Sequence, residues 1–161
     1  MKKFGKFLTT VFCACLVASI CIVGVGCSAS ADKYKPVYKY TNDAGKDIYD
    51  WPAGSETGMI DVPGGKVQYR IYGKGKPGIP IVYVHGGPGG NYSAAYKQLP
   101  LAEERPLILF DQLGSPYSEI ADEYNTKDKV TSLFTIERFC EELDTVVKYF
   151  ELKEFALLGS S

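Results

Sequence analysis

The chain has 161 residues, of which 45% are hydrophobic and 23% charged, and its net charge is −1. That is enough sequence for one domain with a real core, in the composition range of an ordinary globular protein. No block of like charge follows the first few residues, which excludes the clustered Lys and Arg of a nucleic-acid footprint.

The N-terminus reads as targeting sequence rather than fold. Lys2, Lys3 and Lys6 precede an almost unbroken apolar stretch from Phe7 to Gly26, and Ser28-Ala29-Ser30-Ala31 follow it. A charged start, an apolar middle and an Ala-x-Ala end make a secretory signal. The apolar stretch is long for such a signal, so an uncleaved membrane anchor is a second reading. Lipidation at Cys27 is a third, because Val25-Gly26-Cys27-Ser28 resembles a bacterial lipobox, with Gly24 where Leu is usual. All three place the domain outside the cytoplasm, membrane-anchored or secreted. Without residues 1–31 the chain keeps 15 basic against 19 acidic residues. Cys13, Cys15, Cys21 and Cys27 fall in that segment, leaving Cys140 alone beyond it and no disulfide framework within the domain.

Residues 32–55 are polar and aromatic without a clear period, and read as a tether leading into a domain over residues 56–161. Met59-Ile60-Asp61-Val62 and Val67-Gln68-Tyr69-Arg70-Ile71-Tyr72 flank Pro63-Gly64-Gly65-Lys66, which predicts a hairpin. The runs Ile79–Val84, Leu107–Phe110 and Phe155–Leu158 do not alternate. Short, continuous apolar runs suit strands buried on both faces, as in a parallel sheet. Between the last two, Thr135 is a predicted N-cap with Glu137 in the first turn. Ile136, Phe139, Cys140, Leu143, Val146, Val147 and Phe150 then form one stripe, with Glu141, Glu142, Asp144 and Lys148 facing away. Buried strands joined by helices make a βαβ crossover, so the predicted fold class is α/β, opening on an antiparallel hairpin.

Two segments carry possible chemistry. His85-Gly86-Gly87-Pro88-Gly89-Gly90 follows the first buried strand, and Gly159-Ser160-Ser161 follows the last. The second fits the left side of a G-x-S-x-G elbow, where glycines permit the strained turn that exposes a serine oxygen. By itself it is also an ordinary turn composition. The glycine-rich loop admits close approach of a substrate to the main chain and can supply an N–H to a developing oxyanion. It fits neither G-x-x-x-x-G-K-[ST] nor G-x-G-x-x-G, which argues against a phosphate cradle.

Together these residues resemble the proline iminopeptidases of the α/β-hydrolases. His85-Gly86-Gly87-Pro88-Gly89-Gly90 looks like their HGGPG signature, and Asp111-Gln112-Leu113-Gly114-Ser115-Pro116-Tyr117-Ser118 is similar to their D-Q-x-G-x-G-x-S loop. The resemblance runs from about Thr57 to Ser161. It implies the N-terminal part of an α/β-hydrolase fold, ending at the nucleophile elbow. It also implies Ser161 as nucleophile and Gly87 as oxyanion donor. His85, Gly86, Pro88, Gly89, Gly90, Asp111 and Gln112 would be supporting residues. Leu113 stands where Arg is frequent and Pro116 where Gly is usual, which bears on substrate choice.

His85 is the only histidine in the chain. In the family resembled, the catalytic His follows the acid far downstream of the serine, so His85 is expected to support its loop rather than act as base. Catalytic Asp and His are then both absent from these 161 residues, and the chain alone is expected to be inactive. The parent activity implied is a serine aminopeptidase releasing N-terminal proline from short peptides, with no metal or organic cofactor. Membrane contact would be through the N-terminal anchor or lipid, and no nucleic acid is involved. Two other readings stand beside it: another esterase or amidase of the same fold, and a non-catalytic surface-binding lipoprotein.

Overall fold

The computed structural model describes residues 34–41, 45, 47–87 and 89–161. The targeting segment with Cys27, and Pro88 of the glycine-rich loop, lie outside the described residues.

The predicted hairpin forms with longer arms. Strand β3, Ser55–Val62, pairs antiparallel with β4, Gly65–Tyr72, from Ser55 opposite Tyr72 to Val62 opposite Gly65. That register leaves Pro63 and Gly64 as the two turn residues. Proline presets the first and Gly64, at φ +96°, supplies the left-handed second, which is the chemistry of a tight type II turn.

The three non-alternating runs are strands: β5 at Ile81–Val84, β6 at Leu107–Phe110 and β8 at Ala156–Gly159. β5 and β6 are buried as their composition predicts, whereas β8, last in the strand order, is mostly exposed, with Leu157 at 56%. The main sheet runs β3-β4-β6-β5-β8, with the two-residue β7, Glu119–Ile120, pairing onto β4. β4 and β6 are antiparallel, whereas β6-β5 and β5-β8 are parallel. Every residue of β6 is buried, and its side chains divide between two layers. Ile108 and Phe110 join Val67, Val82, Leu113 and Val146 on one face. Leu107 and Leu109 join Tyr83, Tyr92, Ala95 and Leu99 on the other. A strand packed on both sides has no use for alternating polarity.

The crossovers follow. Between β5 and β6 lies a 3₁₀ segment, Tyr92–Glu103, started by Asn91 Oδ1, which accepts the Ser93 N–H at 2.8 Å. Between β6 and β8 come a short α1, Lys127–Thr131, and α2, Ile136–Tyr149. Thr135 caps α2 as predicted, its hydroxyl accepting the Arg138 N–H at 3.3 Å.

Two readings need correction. Glu142 does not face away from the core: it is 0% exposed and paired with Arg138, which is also buried. Conversely, Ile136 is 77% exposed and Cys140 lies at the surface, so the stripe's upper end is uncovered. Periodicity measures polarity, and a carboxylate compensated by an adjacent arginine sits where polarity alone would not put it. The lead-in is also more than a tether. Val37–Thr41 (β1) and Asp47–Asp50 (β2) form an antiparallel ribbon. Trp51 then packs on Tyr92, and the Tyr72 hydroxyl donates to Pro52 O at 2.8 Å. The signal was the density of aromatic and β-branched residues on either side of Gly45.

Candidate active site

Register alone assembles the site. Val84 pairs with Phe110 on one side and with Gly159 on the other, so three strands end at one level. The loops beginning at His85, Asp111 and Ser160 therefore leave the sheet side by side. The ladder continues one step further, with the Ser160 N–H donating to Val84 O at 3.0 Å. The carboxyl ends of parallel strands are where open α/β sheets place their ligands.

Gly86 and Ser161 meet there. A methyl group added at Gly86 would overlap the Ser161 Cβ and the Ser160 carbonyl oxygen, and would stand 3.1 Å from Ser161 Oγ. Only hydrogen at that position allows the two loops to touch. Ser161 itself has φ +80°, a left-handed conformation that costs a side-chain-bearing residue on the order of 1–2 kcal/mol. It is exposed, with its Oγ beside Gly86. Gly87, next along the loop, has φ +65°, is exposed, and has open space around its Cα. Gly90 closes the loop by donating its N–H to Gly87 O at 3.2 Å, with Gly89 at φ +78° between them.

His85 is buried beneath this loop, 4% exposed, and does not reach outward. Its Nε2 accepts the Gln112 N–H at 3.0 Å and lies 3.2 Å from Ser115 Oγ. A ring nitrogen that accepts a main-chain N–H carries no proton, so the tautomer is Nδ1–H, with Gly86 O at 3.2 Å as its acceptor. Burial pushes the imidazole pKa below its ordinary value, which favours this neutral form. Gln112 also donates from its side-chain amide to His85 O at 3.0 Å.

Asp111 is fully buried and links two more segments. Oδ1 accepts the Tyr92 N–H at 2.9 Å and Oδ2 the Tyr117 N–H at 3.2 Å, while the Ser118 hydroxyl donates to Asp111 O. The carboxylate thus ties the start of the 3₁₀ segment to the loop after β6. Leu113, the departure noted in the sequence, points into the core at 1% exposure.

Sequence reading missed Ser115, Ser118, Arg138 and Glu142 as partners of these loops. Ser115 and Ser118 belong to a quoted motif, but a small hydroxyl gives no sign of which buried acceptor it will meet. The spacing of Arg138 and Glu142, one helical turn apart, was the available sign of their pairing. An apolar cavity of about 310 Å³ lies between α2 and the sheet, bounded by Val84, Phe110, Gln112, Glu142, Leu143 and Leu157 among others. Among the described residues, no group of His, Cys, Asp or Glu is placed to hold a metal ion, and no helix is long and apolar enough to cross a membrane.

Known proteins match about two thirds of this chain. No family model matches. The proline iminopeptidase of Heyndrickxia coagulans is 36% identical over 104 residues, 65% of this chain and 34% of that protein. Among solved structures, a proline iminopeptidase-related protein of Thermus thermophilus superposes with a TM-score of 0.53 at 25% identity, over 65% of this chain and 35% of its own. The Cif epoxide hydrolase of Acinetobacter nosocomialis, at 20% identity, shares the fold with a TM-score of 0.57 over 70% of this chain and 32% of its own. The chain therefore spans about a third of the length of the curated relatives it matches.

Proposed function

We propose that this chain, an α/β-hydrolase by fold and a relative of the proline iminopeptidases by sequence, is the nucleophile-bearing part of a serine aminopeptidase that removes N-terminal proline. The observation that carries this reading is the apposition of Gly86 and Ser161 at the level ends of β5 and β8, with Ser161 held at φ +80°. Strain in a serine at a strand end is the hallmark of an exposed nucleophile.

In this reading Ser161 Oγ attacks the carbonyl carbon of an N-terminal prolyl residue while its proton passes to an imidazole. The carbonyl oxygen takes the negative charge and the Gly87 N–H meets it. Collapse of the tetrahedral species breaks the C–N bond, and the imidazolium gives the proton to the departing peptide amine. Water, deprotonated by the same imidazole, then attacks the acyl-enzyme, releasing proline and restoring the serine. His85, the single histidine of the 161 residues, is spent on Gln112 and is not that imidazole. The base and its carboxylate orienter come from outside these residues.

An extracytoplasmic location, tethered or secreted, goes with residues 1–31, and peptides are the substrates that fit the relatives' names. The test is hydrolysis of proline p-nitroanilide by the product of the complete reading frame. Release of nitroaniline that Ser161→Ala reduces by at least about a thousandfold supports the reading. Turnover of simple acyl esters but not of prolyl amides replaces it with an esterase of the same fold.

A further inference from the structure

Helix α2 carries a buried ion pair that the proposed chemistry does not use. Arg138 and Glu142 lie one turn apart, 7% and 0% exposed, and are joined between a guanidinium nitrogen and Glu142 Oε2. Desolvating such a pair costs about as much as its attraction returns, so stability alone does not account for it. What the pair holds is more informative. Arg138 Nε donates to Leu133 O at 2.8 Å and a second guanidinium nitrogen to Pro63 O at 3.3 Å. Glu142 Oε2 accepts the Leu113 N–H at 3.2 Å.

The β3–β4 turn, the segment before α2 and the loop after β6 thus converge on one pair of side chains. Leu113 directly follows Gln112, whose N–H meets His85 Nε2. Two successive main-chain donors therefore run in opposite directions, one to the glycine-rich loop and one to α2. Glu142 also borders the same cavity as Gln112 and as Val84, Phe110 and Gly159, the last residues of the three strands. Its Oε1 makes no hydrogen bond among the described groups. Burial raises its carboxyl pKa, while Arg138 and the Leu113 N–H act in the opposite direction.

We propose that Glu142, fixed by Arg138, is a positioning residue of the candidate active site: it pins Leu113, holds Gln112 against His85, and so sets where Gly86 and Gly87 stand opposite Ser161. The proposal rests on the reading of Ser161 as nucleophile for its functional meaning. A buried main-chain N–H needs an acceptor. A carboxylate anchored by a planar guanidinium provides one that cannot drift, because the guanidinium is itself fastened to two carbonyls.

The test reads the NMR signals of the His85 ring nitrogens, which in the active protein are assigned by their loss in His85→Gln. They are those of a neutral Nδ1–H imidazole with a hydrogen-bonded Nε2. Glu142→Gln should move those signals and lower kcat on a prolyl substrate about tenfold or more while leaving KM within about twofold. Val146→Ala, a cavity on the same helix, should lower stability and leave the His85 signals in place. Unmoved His85 signals in folded Glu142→Gln protein overturn the proposal. Should that variant fail to fold, amide exchange in the unaltered protein decides: Gln112 and Leu113 must exchange as slowly as the amides of α2, and faster exchange overturns the proposal. Moved signals in a protein that never turns over prolyl substrates would sink the aminopeptidase reading and leave the positioning role standing.

Discussion

Gln112 and His85 grip each other twice, once through the Gln112 main-chain N–H on Nε2 and once through the Gln112 side-chain amide on His85 O, both at 3.0 Å. The pair welds the loop after β6 to the loop after β5. It also fixes the imidazole as a neutral acceptor at the centre of the candidate site.

That neutrality has a pH signature. The folded pKa of His85 lies below its ordinary value of 6.5 because burial disfavours the cation. Above that value both folded and unfolded chains hold a neutral ring and His85 adds no slope. As pH falls below it, the unfolded chain takes up a proton that the folded chain resists, so stability drops until the folded pKa is passed. The slope from one proton is at most about 1.4 kcal/mol per pH unit. Urea unfolding at a series of pH values from neutral downward should show this loss in the unaltered protein. His85→Gln, which keeps an acceptor near the Nε2 position, should lack that component.

Gly86 and Gly87 should respond differently to a methyl group. Gly87→Ala meets open space, so its cost is backbone strain alone, on the order of 1 kcal/mol in thermal stability. Gly86→Ala must push apart two loops that touch at Ser161, and a displacement of about 1 Å at a reacting centre is worth roughly a hundredfold in rate. Reaction rates with a fluorophosphonate, compared with melting temperatures, separate the two.

Asp111 is a structural carboxylate in this account. Asp111→Asn places an amide NH₂ against one of two main-chain donors, Tyr92 or Tyr117. The expected loss is about 2–3 kcal/mol of unfolding free energy, since a charged acceptor is replaced by a mismatched one. Chemical denaturation measures it.

Trp51, the only tryptophan, reports on whether the N-terminal ribbon is seated. Its ring lies 5.1 Å from that of Tyr92, with the Arg70 guanidinium 5.2 Å away. Tyr92→Ala should shift Trp51 emission to the red and cost about 3–5 kcal/mol as a buried aromatic is truncated. Emission unchanged from the parent would mean that Trp51 is held by other contacts.

Much of this architecture was legible before the structure. The three strands were marked by apolar runs too short for helices, and β6 falls at Leu107–Phe110 as read. Thr135 marked the start of α2 because an N-cap hydroxyl has a local job that sequence states directly. In the glycine-rich loop, Gly86 records a steric demand and Gly87 a backbone one, at φ +65°. Glu142 was not readable, since a buried charge looks like a surface charge until its partners are known. The ribbon of β1 and β2 was passed over because its strands are short and its docking depends on Trp51 and Tyr117, whose contacts are remote in sequence. Nor does any local pattern say that Asp111 would receive N–H groups from Tyr92 and Tyr117.

The central claim is that the Ser161 hydroxyl is the nucleophile, standing against the glycine-rich loop. Peptide mapping by mass spectrometry after treating the product of the complete reading frame with a fluorophosphonate addresses it most directly. The account predicts a single phosphonyl adduct on Ser161 that Gly86→Ala suppresses. An adduct confined to Ser160 or to another serine, or no adduct on a folded protein, would contradict it.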